Sequence, residues 1–161
     1  MRIQVSAIGR LRSGPERELA SHYVARAGSS GRTLGISSVA IVEHAESSAA
    51  SERLRRAEEG SRLLSAIPGG ASIVALDEGG RSLSSSELAQ FLKAELERGS
   101  SMVVFLIGGP DGLSESVKDS ARGGILSLGR MTWPHRLARV MIAEQIYRAV
   151  TILINHPYHR G

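Results

Sequence analysis

Residues 101–109, SMVVFLIGG, carry an unbroken apolar run that stops on two glycines. A strand with one wet face alternates polar and apolar side chains, whereas a continuously apolar strand is covered on both faces. The VVFLI segment therefore predicts a central strand with something packed above and below it.

The rest of the chain supplies the cover. RIQVSAIG (2–9), GISSVAIVE (35–43) and ASIVALDE (71–78) read as further strands. Between them lie helical patterns. GPERELASHYVARAG (14–28) opens on proline and closes on glycine. Residues 47–67 repeat Leu54, Ala57, Leu63, Leu64 and Ile67 at near-helical spacing, and Pro68-Gly69-Gly70 stops them. Residues 84–99 open on a serine cap, align Leu88, Phe91, Leu92 and Leu96, and close on Gly99. A short helix is expected over 113–123 and a long one over 136–154. The Gly/Ser-rich stretch 28–38 reads as a loop. Strands alternating with helices predict an α/β fold, a parallel sheet covered on both faces, in a single domain spanning 1–161. Ligands of such sheets sit beyond the carboxyl ends of the strands. That rule directs attention to three places: after Leu76, after Ile107, and residues 127–133.

Charge narrows the partner. Residues 1–121 carry 14 Lys+Arg against 15 Asp+Glu, whereas 122–161 carry six arginines against Glu144 alone. A basic carboxyl-terminal quarter suggests a phosphate-rich partner. Arginine-rich composition alone would give the same bias. Aromatic residues make up only 4% of the chain, too few for a single-strand stacking platform. There is no cysteine, so disulfides and thiolate metal sites are excluded. The opening residues lack the sustained apolar core of a signal peptide, and no segment is apolar for long enough to span a membrane. A cytoplasmic location, with no membrane partner and no metal, is expected.

Two stretches are candidates for chemistry. FLIGGPDGLS (105–114) runs from a buried strand into glycines that permit a tight turn or close approach of a ligand to the backbone. It has neither the Walker lysine nor GxGxxG spacing, and a plain strand-to-helix turn needs the same residues. SLGRMTWPHRLAR (127–139) could wall an apolar pocket for a flat ligand, or Trp133 could simply staple the helix start. The final helix is apolar around most of its girth. It is either a deep core helix or one covered on its outer side by a second subunit. Glu144 and Arg148 stand one turn apart and are expected to pair. The segment that follows holds His156, Tyr158, His159 and Arg160, with Pro157 stiffening the exit. Histidine can move a proton near neutrality, and arginine can clamp phosphate.

FLIGGPDGLS, SLGRMTWPHRLARVMIAEQIYRA and NHPYHR together resemble the ribosomal RNA large subunit methyltransferase H family, SPOUT-class enzymes. The similarity extends over essentially the whole chain, including RIQVSAIG and IVALDEGGRSLSS. The resemblance implies a deep trefoil knot near the carboxyl terminus, a homodimer, and S-adenosylmethionine as cofactor. It implies methylation of N3 of a pseudouridine in 23S ribosomal RNA on the assembled ribosome. By motif match, cofactor contacts come from Leu76, Gly108, Leu128, Gly129, Arg130, Met131, Thr132 and Trp133. The catalytic residues implied are His159, Arg160 and Tyr158, and Arg136 and Arg139 are expected to bind RNA. A rival reading keeps the fold as a ribosome-binding protein without catalysis.

Overall fold

The structure, a computed structural model, describes residues 1–159. Arg160, expected to act in catalysis, lies outside the described residues. Five strands form one sheet: β1 (Arg2–Ile8), β2 (Ser38–His44), β3 (Ser72–Ser82), β4 (Met102–Ile107) and β5 (Gly124–Ser127). Their order is β2-β1-β4-β3-β5, and every pairing is parallel. All six residues of β4 are buried, as the apolar run requires. Each fully buried Val, Leu, Ile or Phe side chain there contributes about 1.5–3 kcal/mol.

The helices are α1 (Pro15–Gly31), α2 (Glu52–Ser65), α3 (Ser85–Glu97), α4 (Glu115–Ser120) and α5 (His135–Leu153). Alternate β4 side chains divide the core between the two faces of the sheet. Val103, Phe105 and Ile107 join Ile3, Val5, Leu92, Ile142 and Ile146, so α1, α3 and α5 cover one face. Val104 and Leu106 join Ile8, Leu63, Leu113 and Val117, so α2 and α4 cover the other. The α3 start follows the sequence closely. The Ser84 hydroxyl accepts from the Glu87 amide, and the Glu87 carboxylate accepts from the Ser84 amide at 2.7 Å.

Four expectations change. The 28–38 stretch is not all loop, because α1 continues through Gly31 and a short 3-10 turn (Arg32–Leu34) follows. Helix α2 starts at Glu52 rather than 47. The Ser47 amide is instead drawn to the buried Glu59 carboxylate at 2.8 Å, and Ser51 caps the helix. Residues 124–127, assigned to no element from sequence, form β5 at the sheet edge. Strand β3 extends beyond residue 78 through a register shift between Leu76 and Arg81. Gly80 permits that shift, for a Cβ there would lie 2.7 Å from the Leu126 backbone.

Most of the apolar girth of α5 is covered within the chain. It packs between α1 and α3 beneath the sheet, with Val140, Ile142, Ala143, Ile146, Ala149 and Val150 buried. Glu144 and Arg148 pair as expected.

Candidate active site

A cavity of about 750 Å³ opens at the register shift of β3 and beyond the carboxyl ends of β4 and β5. Its walls come from the three places singled out by the strand-end rule. Leu76, Asp77 and Glu78 lie within β3 at its register shift; Ile107 ends β4 and Gly108 and Gly109 follow it; Leu128, Gly129, Met131, Thr132 and Trp133 follow β5. Of the residues expected to hold a cofactor, all but Arg130 line it; Arg130 is exposed beside it.

Each wall has a local reason for its shape. Gly108 to Gly112 fold into a closed turn, the Gly112 amide donating to the Gly109 carbonyl at 3.0 Å. A Cβ on Gly108 would lie 2.6 Å from the Gly112 carbonyl carbon, so a side chain there collides with backbone. Gly129 has φ +121°, which favours glycine. The Ser127 hydroxyl brackets that turn, donating to the Gly129 carbonyl and accepting from its amide. Thr132 ties the loop across the cavity mouth to Glu78 at 3.3 Å.

The cavity mixes apolar surface with a few oriented polar groups. Burial pushes the Asp77 carboxyl up, but Lys118 at 2.9 Å and the Gly79 amide outweigh it and hold it below the usual carboxylate range. His135 lines the entrance and burial keeps its pKa low, with Arg139 and Arg136 adding to the effect. The indole Nε1 of Trp133 is buried and has no partner, a donor left waiting for an acceptor. Asp77, Glu78, Lys118 and His135 escaped the sequence reading. The strand-end rule had reached the right place, but it does not say which side chains beyond a strand turn inward.

Of the expected catalytic residues, Tyr158 and His159 sit away from the cavity. Tyr158 packs on Tyr147, with ring centroids 4.6 Å apart, and its hydroxyl donates to Glu144 at 3.0 Å. Arg26 and Arg148 lie over the same aromatic group. Burial, with hydrogen bonds to Tyr23 and Glu144, drives the Tyr158 phenol far above its usual pKa, so it stays protonated. Glu144 and Arg148 lie six to ten residues beyond Ala138, which lines the cavity, or roughly 9–15 Å along the helix. Neither Tyr158 nor His159 lines the cavity. His159 is half-buried, and its shielded Nδ1 has no partner among the described residues.

The arginines expected to bind RNA separate. Arg136 is exposed on the first turn of α5. Arg139 is fully buried, held by Glu43 and by the carbonyl oxygens of Ile8 and Gly9, so it faces the interior rather than a polyanion. Among the described residues, no group of three or more His, Asp or Glu side chains is placed to hold a metal ion, and no helix is long and apolar enough to cross a membrane.

A parallel sheet with a glycine-walled cavity at the strand ends defines an α/β protein with its candidate site where open α/β sheets carry their ligands. A family model described as "Predicted SPOUT methyltransferase" matches residues 1–159. The chain is 48% identical over 161 residues to the ribosomal RNA large subunit methyltransferase H of Xanthobacter autotrophicus, with both chains covered completely. It is 47% identical to that of Beijerinckia indica, again over the whole of both chains. It is 45% identical to that of Rhizobium leguminosarum bv. trifolii, over 99% of each. The chain belongs to the ribosomal RNA large subunit methyltransferase H family of SPOUT methyltransferases.

Proposed function

We propose that this chain methylates N3 of the pseudouridine at position 1915 of 23S ribosomal RNA, using S-adenosylmethionine, on the assembled ribosome in the cytoplasm. The observation that carries the reading is the cavity of about 750 Å³, whose walls are the family's glycine and loop motifs. Its residues suit the cofactor. Leu76, Ile107 and Leu128 offer apolar surface, the Glu78 carboxylate stands at the mouth, and the Trp133 Nε1, without a partner among the described residues, needs an acceptor. Leu76, Gly108 and the 128–133 loop would hold it. When bound, S-adenosylmethionine supplies an electrophilic methyl group on a sulfonium.

The protein's remaining task is positioning and proton removal. A pseudouridine N3 is an imide nitrogen that must lose its proton at or before transfer. His159 is the proposed base and Arg160 the group that steadies the negative charge developing on the imide oxygens. Tyr158, locked to Glu144 and Tyr147, anchors the tail rather than reacting. Arg136, exposed beside the cavity entrance, is the proposed phosphate contact.

The protein is proposed to act as a homodimer with a knotted carboxyl-terminal region. Within one chain the tail docks away from the cavity, which supports a second copy bringing its tail to the site. Partly exposed Leu137, Met141 and Ile152 on the outer side of α5 give that copy an apolar strip to cover. The strand order supports the knot: after β4 the chain passes outside β3 to make β5, then returns beneath the sheet as α5.

The test is single-turnover methylation of ribosomes from cells lacking the enzyme, read by mass spectrometry of the ribosomal RNA, with calorimetry of cofactor binding alongside. A methyl group at N3 of that pseudouridine is expected. Tight ribosome binding without cofactor binding or methylation would instead establish the non-catalytic reading.

A further inference from the structure

Helix α2 reaches the cavity wall through Arg56, and its first turns grip the glycine loop from behind. The Arg55 guanidinium holds the Asp111 carboxylate with two donors, Nε at 2.6 Å and Nη2 at 3.2 Å. The Asp111 carboxyl is held below its usual range by that contact, and the Arg55 guanidinium is pushed up by it. Arg55 also donates to the Ala49 carbonyl, which fixes the guanidinium plane. One residue on, Arg56 donates twice to the Leu113 carbonyl, with Nη2 at 2.7 Å. A turn later the buried Glu59 carboxylate stands behind Gly109; a Cβ there would lie 3.1 Å from Oε2.

The geometry points to Arg55 and Asp111 as positioning residues for the cofactor: their ion pair sets the shape of the Gly108–Leu113 wall and thereby the affinity for S-adenosylmethionine. The inference rests on the proposed function and adds to it a role for α2. The grip matters because the loop's own backbone holds it weakly. Its one internal backbone bond closes a turn of glycine, proline and aspartate, and three glycines lose more backbone freedom on ordering than any other residues. A planar fork on a carboxylate fixes orientation as well as distance, which a point charge does not. Arg55 touches the wall only through Asp111, so it acts on the ligand through the loop.

The experiment measures cofactor affinity by calorimetry for the full chain and for Arg55→Ala, Asp111→Ala, the double variant and Arg55→Lys. Hydrogen exchange at the Gly112 amide is followed without ligand. Each single replacement is expected to weaken cofactor binding roughly tenfold, the order seen when a supporting contact behind a binding wall is lost. The double variant should be no weaker than the singles, because both remove one interaction. Arg55→Lys should recover only part of the affinity. Gly112 exchange should quicken in every variant, whereas Arg62→Ala, which breaks a Glu58 pair further along α2, should leave both readouts unchanged. Variants that bind as tightly as the parent, additive losses, or an equal loss in Arg62→Ala would each overturn the role of the pair. A parent protein that fails to bind the cofactor would overturn the proposed function, and the brace's role in binding with it.

Discussion

The Arg139 guanidinium, with no exposed surface, donates to the Glu43 carboxylate and to the carbonyl oxygens of Ile8 and Gly9. It ties the start of α5 to the carboxyl ends of β1 and β2, next to the cavity. Burial pulls its pKa down, and Glu43 works against that pull. Arg139→Ala would leave both buried carbonyls without this donor and the part-buried Glu43 carboxylate with only the Leu11 amide, so it should cost about 3 kcal/mol. Urea denaturation measures this directly, and a loss within ordinary surface-variant scatter would show that the buried pair is not needed.

Arg136 should behave in the opposite way. It is exposed, so Arg136→Ala should shift stability by no more than about 0.5 kcal/mol. Ribosome binding should weaken, and the slope of log affinity against log salt should fall by about one unit. An unchanged salt dependence would remove Arg136 from the RNA surface.

Gly108→Ala should disable the cavity without unfolding the chain. The added Cβ meets the Gly112 backbone at 2.6 Å, which no rotamer can relieve. Overpacking of this kind costs about 1–3 kcal/mol. Cofactor binding should be lost in calorimetry while thermal melting remains cooperative. Retained affinity would mean that the loop yields without changing the wall.

Stability should fall on mild acidification. Burial, with nearby arginines, holds His44 and His135 below the ordinary histidine value of 6.5. The unfolded chain therefore binds protons first as the pH drops through that value, and the stability present above it is lost below. His44 accepts or donates at Ser6 Oγ, 2.9 Å away; Arg10 and Arg62 press on it, and Arg136, Arg139 and the opposing Glu46 act on His135. The urea midpoint should decline between about pH 7 and about pH 5, and less steeply in a His44→Gln, His135→Gln double variant. Equal slopes would assign the acid sensitivity to other groups.

Mixing should reveal where the tail works. A Gly108→Ala subunit has a broken cavity and an intact tail; a His159→Ala subunit has the reverse. Under the proposed homodimer, each variant alone should be inactive, and activity should reappear when the two are combined and allowed to exchange. No recovery despite demonstrated exchange would place tail and cavity in the same chain.

Much of this was legible in the sequence because it is local. The continuous apolarity of β4, the Ser84–Glu87 capping box and the one-turn spacing of Glu144 and Arg148 each state their own structure. Strand β5 did not, since four residues led by glycine carry too little pattern, and only β3 beside it makes them a strand. The burial of Arg139 was equally hidden. An arginine on a polar strip reads as solvated, and its partners lie about a hundred residues away or more, at Glu43, Ile8 and Gly9. The brace from α2 was invisible for the same reason, for Arg55 and Asp111 are neighbours only after the sheet has formed.

The register of β1 against β4 has a kinetic consequence. Arg2 lies opposite Met102, so the first strand to leave the ribosome finds this neighbour only after about a hundred more residues have been made. Until then one edge of β1 is an open, apolar template. Closing so long a loop before its contacts reward it makes such topologies slow to form. Refolding from denaturant should accordingly lag well behind helix formation, and a nascent chain halted before β4 would be prone to clump.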